Sequence, residues 1–441
     1  MLVAALMIAC STGSSTDTAS GNDTSIGNPD DTDTGDTGED IGGDTSETGD
    51  SVDTQDTADE AADEAAYEAF YDENTLQSIT ISLSAESVDA MDVAAAAAIA
   101  ADPENPTFDY VSASVTLGGV TVDNVGVKFK GGSKTFQDWE GKPSLKIKFD
   151  QFDDTLRFAG LKRVTLDNMV TDPAMCREVL GFKLFRDGGV PAPRANFAQV
   201  YLVVDGGSPQ LYGLYTNVEA MDSKWVKHNY EEDNGDLWQG HDSADFSQAG
   251  IKHFEVASGT GDLAVLDQAR VDVQNHGDDF WADVDDVLDM DNFLDFWTLS
   301  VAMGNRAGYP FHVGNFYVYG DPADGRFDFI PAEADASFDT ATPTYAKYVV
   351  GAVAQFCLYY DDKCPTKYAA AQGEAITFYE GDNVAATASA LQALTDTAIV
   401  DDARKNVEGK TITTAQVLTA RDTLNYRVEM YPEWLRGHLG L

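Results

Sequence analysis

Basic residues are scarce in this 441-residue chain: 28 Lys and Arg stand against 75 Asp and Glu, a formal net charge of -47. The first of them is Lys128, and 19 of the acidic residues already fall within positions 1–72. Such a chain lacks the clustered Lys and Arg that a general nucleic-acid binder or an anionic-membrane clamp needs, so no nucleic-acid partner is expected. Long apolar runs are missing as well. Nothing approaches the about 20 residues that cross a bilayer, and no transmembrane span is expected. Cysteine is limited to four residues and histidine to six, without a CxxC pair, an HExxH or a zinc-like spacing. A structural metal therefore has no obvious ligand set. No GxSxG elbow is present, which leaves serine-hydrolase chemistry without a foothold.

What is present divides the chain. Positions 1–10 read MLVAALMIAC, a short apolar stretch with small Ala9 before Cys10. It looks like a signal remnant ending at the lipid-attachment cysteine of a bacterial lipoprotein. Cys10 is thus expected to carry a lipid anchor on a protein lipid-anchored or secreted at the bacterial cell envelope or extracellular face. Residues 11–72 are dominated by Ser, Thr, Gly, Asp, Glu and Ala. Such a segment buries too little to offset the entropy of ordering, and its charges repel, so it reads as a disordered acidic tether.

Beyond it, alternation predicts strands. Ile79, Ile81 and Leu83 mark one, and residues 111–122 form a hairpin turning at Gly118–Gly119. VGVKFK (125–130) reads as a strand before Gly131, Gly132 and Ser133. In the next strand Leu145, Ile147 and Phe149 share one face, with Lys146 and Lys148 on the other. Asp172 and Pro173 predict a helix over 172–187, ended by Gly188–Gly189. A strand then falls at 197–204 with the segment 211–222 returning beside it, followed by a long helix near 291–303, a hairpin at 315–330 and helices beyond 365. Cys176 reads as a small buried hydrophobe, and Cys357 with Cys364 as a short-loop disulfide. The order implies an α+β fold, with a strand-rich lobe over 73–204 and a mixed, helical lobe over 205–440.

Several blocks together resemble the CotH kinase-like family, atypical relatives of protein kinases. They are GVKFKGGS (126–133), PSLKIKFD (143–150), LFRDGGVPAPRANFAQVYL (184–202), LYGLYTNVEAMD (211–222) and the long block 304–339. The resemblance implies a two-lobed kinase-like fold with a helical C-terminal region, and ATP with Mg²⁺ as cofactors. It assigns Gly131, Gly132 and Ser133 to the phosphate-side turn and Lys146, with Lys148 as alternative, to the nucleotide. Glu178 becomes the helix glutamate that pairs with that lysine. Glu219 lies at the nucleotide edge or serves as a structural acid. Asn305 falls in the catalytic loop, while Asn315, Glu333 and Asp335 face the metal and the chemistry.

The pattern departs from the family at one decisive place. The family's loop aspartate is Ala307 here, whose side chain can neither accept a proton nor hydrogen-bond an attacking oxygen. Three readings follow: a surface-displayed, degenerate kinase-like module with a binding or structural role and an unknown surface protein or ligand as partner; an ATP/Mg-dependent phosphotransferase with an altered loop; or a carbohydrate- or peptide-binding module using Tyr309, Phe311 and Tyr317.

Overall fold

The computed structural model describes residues 54–103, 106–132, 134–339 and 348–440. The signal remnant, Cys10, most of the expected tether and Ser133 lie outside them. The first elements are α1 (Thr54–Phe70), β1 (Leu76–Leu83), α2 (Ala85–Ala101), β2 (Val111–Leu117), β3 (Val120–Lys130), β4 (Ser144–Lys148), β5 (Arg163–Asp167), α3 (Arg177–Asp187), β6 (Ala195–Val204) and β7 (Gln210–Val218). Their seven strands close a barrel in the order β1-β2-β3-β4-β5-β7-β6. Closure comes from β1 lying parallel to β6, while the other neighbours run antiparallel.

Strand parity explains what this barrel presents. Val127, Phe129, Leu145, Ile147, Val164 and Leu166 point into its apolar core. Residues of the other parity must point outward, so Lys130, Lys146, Lys148, Thr165 and Asp167 share the opposite face. Register places Lys128 beside Lys146, and Lys146 beside Thr165.

The second unit comprises α4 (Ser223–Asn229), β8 (Leu237–Gly240), β9 (Phe254–Ser258), α5 (Leu263–Gln274), α6 (Phe280–Val284), α7 (Met290–Ala302), β10 (Phe316–Asp321), β11 (Arg326–Pro331), α8 (Ala352–Tyr360), α9 (Cys364–Gly381), α10 (Val384–Asp401) and α11 (Thr414–Leu439). A four-stranded sheet, β11-β10-β8-β9, packs with these helices around a larger core. The expected Cys357–Cys364 disulfide joins α8 to α9. Cys176 is buried and unpaired as a thiol. The α+β class holds.

Three expectations need correction. The tether does not run to residue 72: α1 is helical, and Tyr67, Phe70 and Tyr71 are buried against the barrel. These aromatics supply the apolar area that the acidic composition around them conceals. The lobe boundary does not fall at 204, because β7 completes the barrel between β5 and β6. Finally, α3 starts at Arg177 rather than 172. The Asp172 carboxylate accepts the backbone N–H groups of Ala174, Cys176 and Arg177 at 2.9, 2.6 and 2.7 Å. Met175 takes a left-handed φ of 54°, which breaks helical continuity before that point. Once begun, α3 buries Val179, Leu180, Phe182 and Phe185 in the second core, with Phe185 stacked on Phe296.

Candidate functional site

A cleft of about 470 Å³ opens between the outer face of the barrel and the second unit. Its barrel wall carries Lys130, Gly131, Lys146, Lys148 and Asp167; its opposite wall carries Asn315, Tyr317, Ala332, Glu333 and Asp335. Glu178 of α3 enters between them. Gly131 of the nucleotide turn has a φ of +117°, open to glycine and strained for other residues. A Cβ there would also meet the Thr135 hydroxyl at 2.9 Å. Gly132 lies in the same turn, its carbonyl accepting from Thr135 and Phe136 N–H groups.

The electrostatic centre is a lysine that the strand reading did not single out. Lys130 donates to Asp167 at 3.2 Å. Burial opposes its charge, yet Asp167, Glu178 and Glu333 together hold its pKa above the ordinary lysine value. Asp167 is held below the carboxylate range: burial disfavours its charge, and Lys130 with the Met169 N–H outweighs it. Lys146 lines the same cleft on the neighbouring strand, and Lys148 follows it. The charge of Lys130 reaches Glu178 as well, acting against the rise that burial and the neighbouring acids impose.

The facing acids are crowded. Burial first, then Asp167 and Asp335, push Glu178 well above its usual range. Glu333 opens to solvent within the cleft, but desolvation by its surroundings and the charge of Asp335 push it up to about 7. Asp335 is raised chiefly by burial, with partial relief from the Thr171 hydroxyl that donates to it at 2.6 Å. Asn315 stands after Gly314 in a left-handed turn, φ 55°, and its carbonyl accepts the Ala332 N–H at 3.2 Å. That bond ties the two halves of the acidic wall together.

Two sequence candidates have supporting roles instead. Asn305 is buried and outside the cleft lining; its amide donates to the Glu333 carbonyl at 3.0 Å, and its oxygen accepts the Ala307 N–H at 3.3 Å. It shapes the loop behind Glu333 and does not reach into the cleft. Glu219 reaches the cleft edge, but its carboxylate is committed to the Arg194 guanidinium and N–H, at 3.0 and 2.8 Å, and to the Tyr67 hydroxyl. Of its two expected roles, structural acid is the one these bonds describe. The aromatic reading loses most of its support. Tyr309 is fully buried, donating to Asp245 at 2.6 Å, and Phe311 packs against the larger core, so Tyr317 is the one of the three that lines the cleft.

Comparison with known proteins adds the family. The sequence pattern of the CotH kinase protein family matches residues 127–380. The chain therefore belongs to the CotH kinase family. No curated protein matches it. Among solved structures it is similar to the Helicobacter pylori proinflammatory kinase CtkA, at 7% identity and a TM-score of 0.28, over 74% of this chain and 94% of that one. It is also similar to a chain of the Shewanella oneidensis MR-1 toxin–antitoxin complex of HipA, HipB and operator DNA, at 14% identity and a TM-score of 0.26, over 71% and 68%. Likenesses this distant carry no argument about activity.

Proposed function

We propose that this CotH kinase family member binds a nucleoside triphosphate with a divalent cation in the interlobe cleft, as a kinase-like module whose phosphoryl transfer is impaired. The observation that carries this reading is the acidic cluster of Glu178, Glu333 and Asp335 around the Lys130–Asp167 pair. Crowded carboxylates with raised pKa values gain stability when a cation replaces their protons. Oxygen donors from Glu333, Asp335 and the Asn315 amide suit a hard cation such as Mg²⁺ better than a soft one. Lys130 and Gly131 are the natural phosphate side: one offers positive charge, the other a backbone without a Cβ in the way.

When bound, the cation would neutralise phosphate charge. This chain's residues would do the rest, with Lys130 drawing the phosphates toward the barrel and Asn305 fixing the backbone of Glu333. At position 307 no side chain can orient or deprotonate an acceptor, a role worth about 10²–10⁴-fold in general-base catalysis. Retention of Asn315 and Asp335, with Glu333 still offering an oxygen ligand where the family has an aspartate, keeps slow phosphotransfer as the second reading, since such chemistry rests mainly on placement and charge.

The test is thermal denaturation of the full chain with Mg²⁺ and ATP, separately and together. A joint shift larger than either alone, reduced in Glu333→Gln, is the expected result. An absence of any shift in folded protein would remove the nucleotide reading. The envelope location rests on sequence alone: Cys10 behind an apolar stretch supports a lipid anchor, and mass spectrometry of the membrane-extracted protein would find or exclude the acyl chains.

A further inference from the structure

Helix α1 lies outside residues 127–380, the span that matches the family, yet it touches both the barrel and α4 of the second unit. Its apolar side belongs to the barrel. Phe70 and Tyr71 join the barrel core, and Phe70 meets Phe158 edge to face at 5.1 Å. Asn196 of β6 donates to the Phe70 carbonyl at 2.8 Å, fixing the helix end. Its charged side belongs to α4, which packs with the second sheet through Trp225 and Val226. Lys224 meets Glu64 at 2.5 Å, Lys227 meets Glu60 at 2.8 Å, and His228 approaches Glu64 and Glu68 at 3.1 and 3.4 Å.

Between these two attachments runs the linker 219–222, the chain's passage from β7 to α4. Glu219, Ala220 and Met221 line the cleft. From the cleft side, Arg163 donates to the Met221 carbonyl and to Asp222, both at 3.3 Å. From the far side, the Tyr67 hydroxyl donates to Glu219, and Arg194 stacks its guanidinium over the Tyr67 ring at 4.0 Å while binding the same carboxylate. Tyr67 and Glu219 are both buried, so the contact is sheltered from competing water.

We propose that α1 is a positioning clasp: through Tyr67 and Arg194 it fixes Glu219, and so sets the linker backbone that forms one wall of the ligand cleft. The effect on ligand rests on the nucleotide reading above; the effect on the linker does not. Tyr67 is a positioning residue, since it acts on the cleft only through Glu219.

The experiment uses the full chain and Tyr67→Phe, which keeps the ring over Arg194 and removes only the hydroxyl. Hydrogen exchange at the amides of 219–222 is expected to quicken about tenfold, the scale of one lost hydrogen bond to a charged group. The ATP dissociation constant measured with Mg²⁺ is expected to rise about three- to tenfold, while binding of Mg²⁺ alone stays unchanged because Glu333 and Asp335 sit on the other wall. Glu380→Gln, which breaks an exposed pair with Arg436 between α9 and α11 and outside the clasp, should alter neither. Should Tyr67→Phe fold poorly, Glu64→Gln loosens the clasp at α4 and should produce the same pattern more weakly. Unchanged exchange at 219–222 in a folded Tyr67→Phe protein would overturn the proposal, and so would a change of equal size in Glu380→Gln. If the parent chain binds no ATP, the nucleotide reading fails alone, and exchange at the linker still decides the clasp.

Discussion

Two Lys–Asp pairs in this molecule look alike by distance and do opposite work. Lys142 and Asp402 meet at 2.8 Å with both side chains sealed from solvent, 0% and 0% exposed. Asp402 also accepts the backbone N–H groups of Leu214 and Arg404, at 3.0 and 2.8 Å, and Lys142 lies 5.1 Å from the centre of the Tyr215 ring. Both oxygens of the Asp402 carboxylate are engaged, and the pair pins the end of α10 to the barrel. Lys130 and Asp167 meet at 3.2 Å with 40% and 26% exposure, beside three further carboxylates. Here charge is left over. A finished network stabilises a fold, whereas an unfinished one has capacity for a ligand.

Truncation separates the pairs most sharply. Lys142→Ala strands a sealed carboxylate, a change that typically costs about 3–5 kcal/mol, and should lower the denaturation midpoint strongly. Lys130→Ala at the open pair should cost only about 0–1 kcal/mol, measured in the same urea titration. Equal losses would erase the distinction drawn here.

A smaller effect comes from pH. Glu333, pushed up to about 7, holds a proton in the folded protein over a range where the unfolded chain has lost it. Its contribution to stability is therefore full below the ordinary glutamate pKa and declines as pH rises through 7. Mg²⁺ should reverse that decline, and Glu333→Gln should flatten it; thermal midpoints from pH 5 to 8 would show both. The smallest expected effect is kinetic. Ala307→Asp should raise ATP turnover from a low base without tightening ATP binding, as read from phosphate release with Mg²⁺ present.

How much of this was legible follows from locality. Alternation in residues 144–148 identified the barrel's two faces, and the same parity applied to VGVKFK would have put Lys130 on the same face as Lys146. Asp167 is equally marked in RVTLD, where Val164 and Leu166 take the inner face. The acidic wall was legible through the resemblance, which supplied Asn315, Glu333 and Asp335. The role of Glu219 was not, because its partners Arg194 and Tyr67 lie 25 and 152 residues away. The barrel's closure is also long-range, between β1 and β6. In α1 the signal was present as aromatics at 67, 70 and 71, a helical spacing, but the surrounding acidic residues gave the segment the composition of a tether.

The most direct measurement is calorimetric titration of the full chain with ATP in Mg²⁺, beside Lys130→Ala. The account expects Mg²⁺-dependent binding in the parent chain and at least about a tenfold weaker affinity in the variant, the worth of one charge-assisted phosphate contact. Undiminished affinity in a folded Lys130→Ala protein, or no binding in the parent chain, would contradict the claim that the unfinished ion pair marks the ligand site.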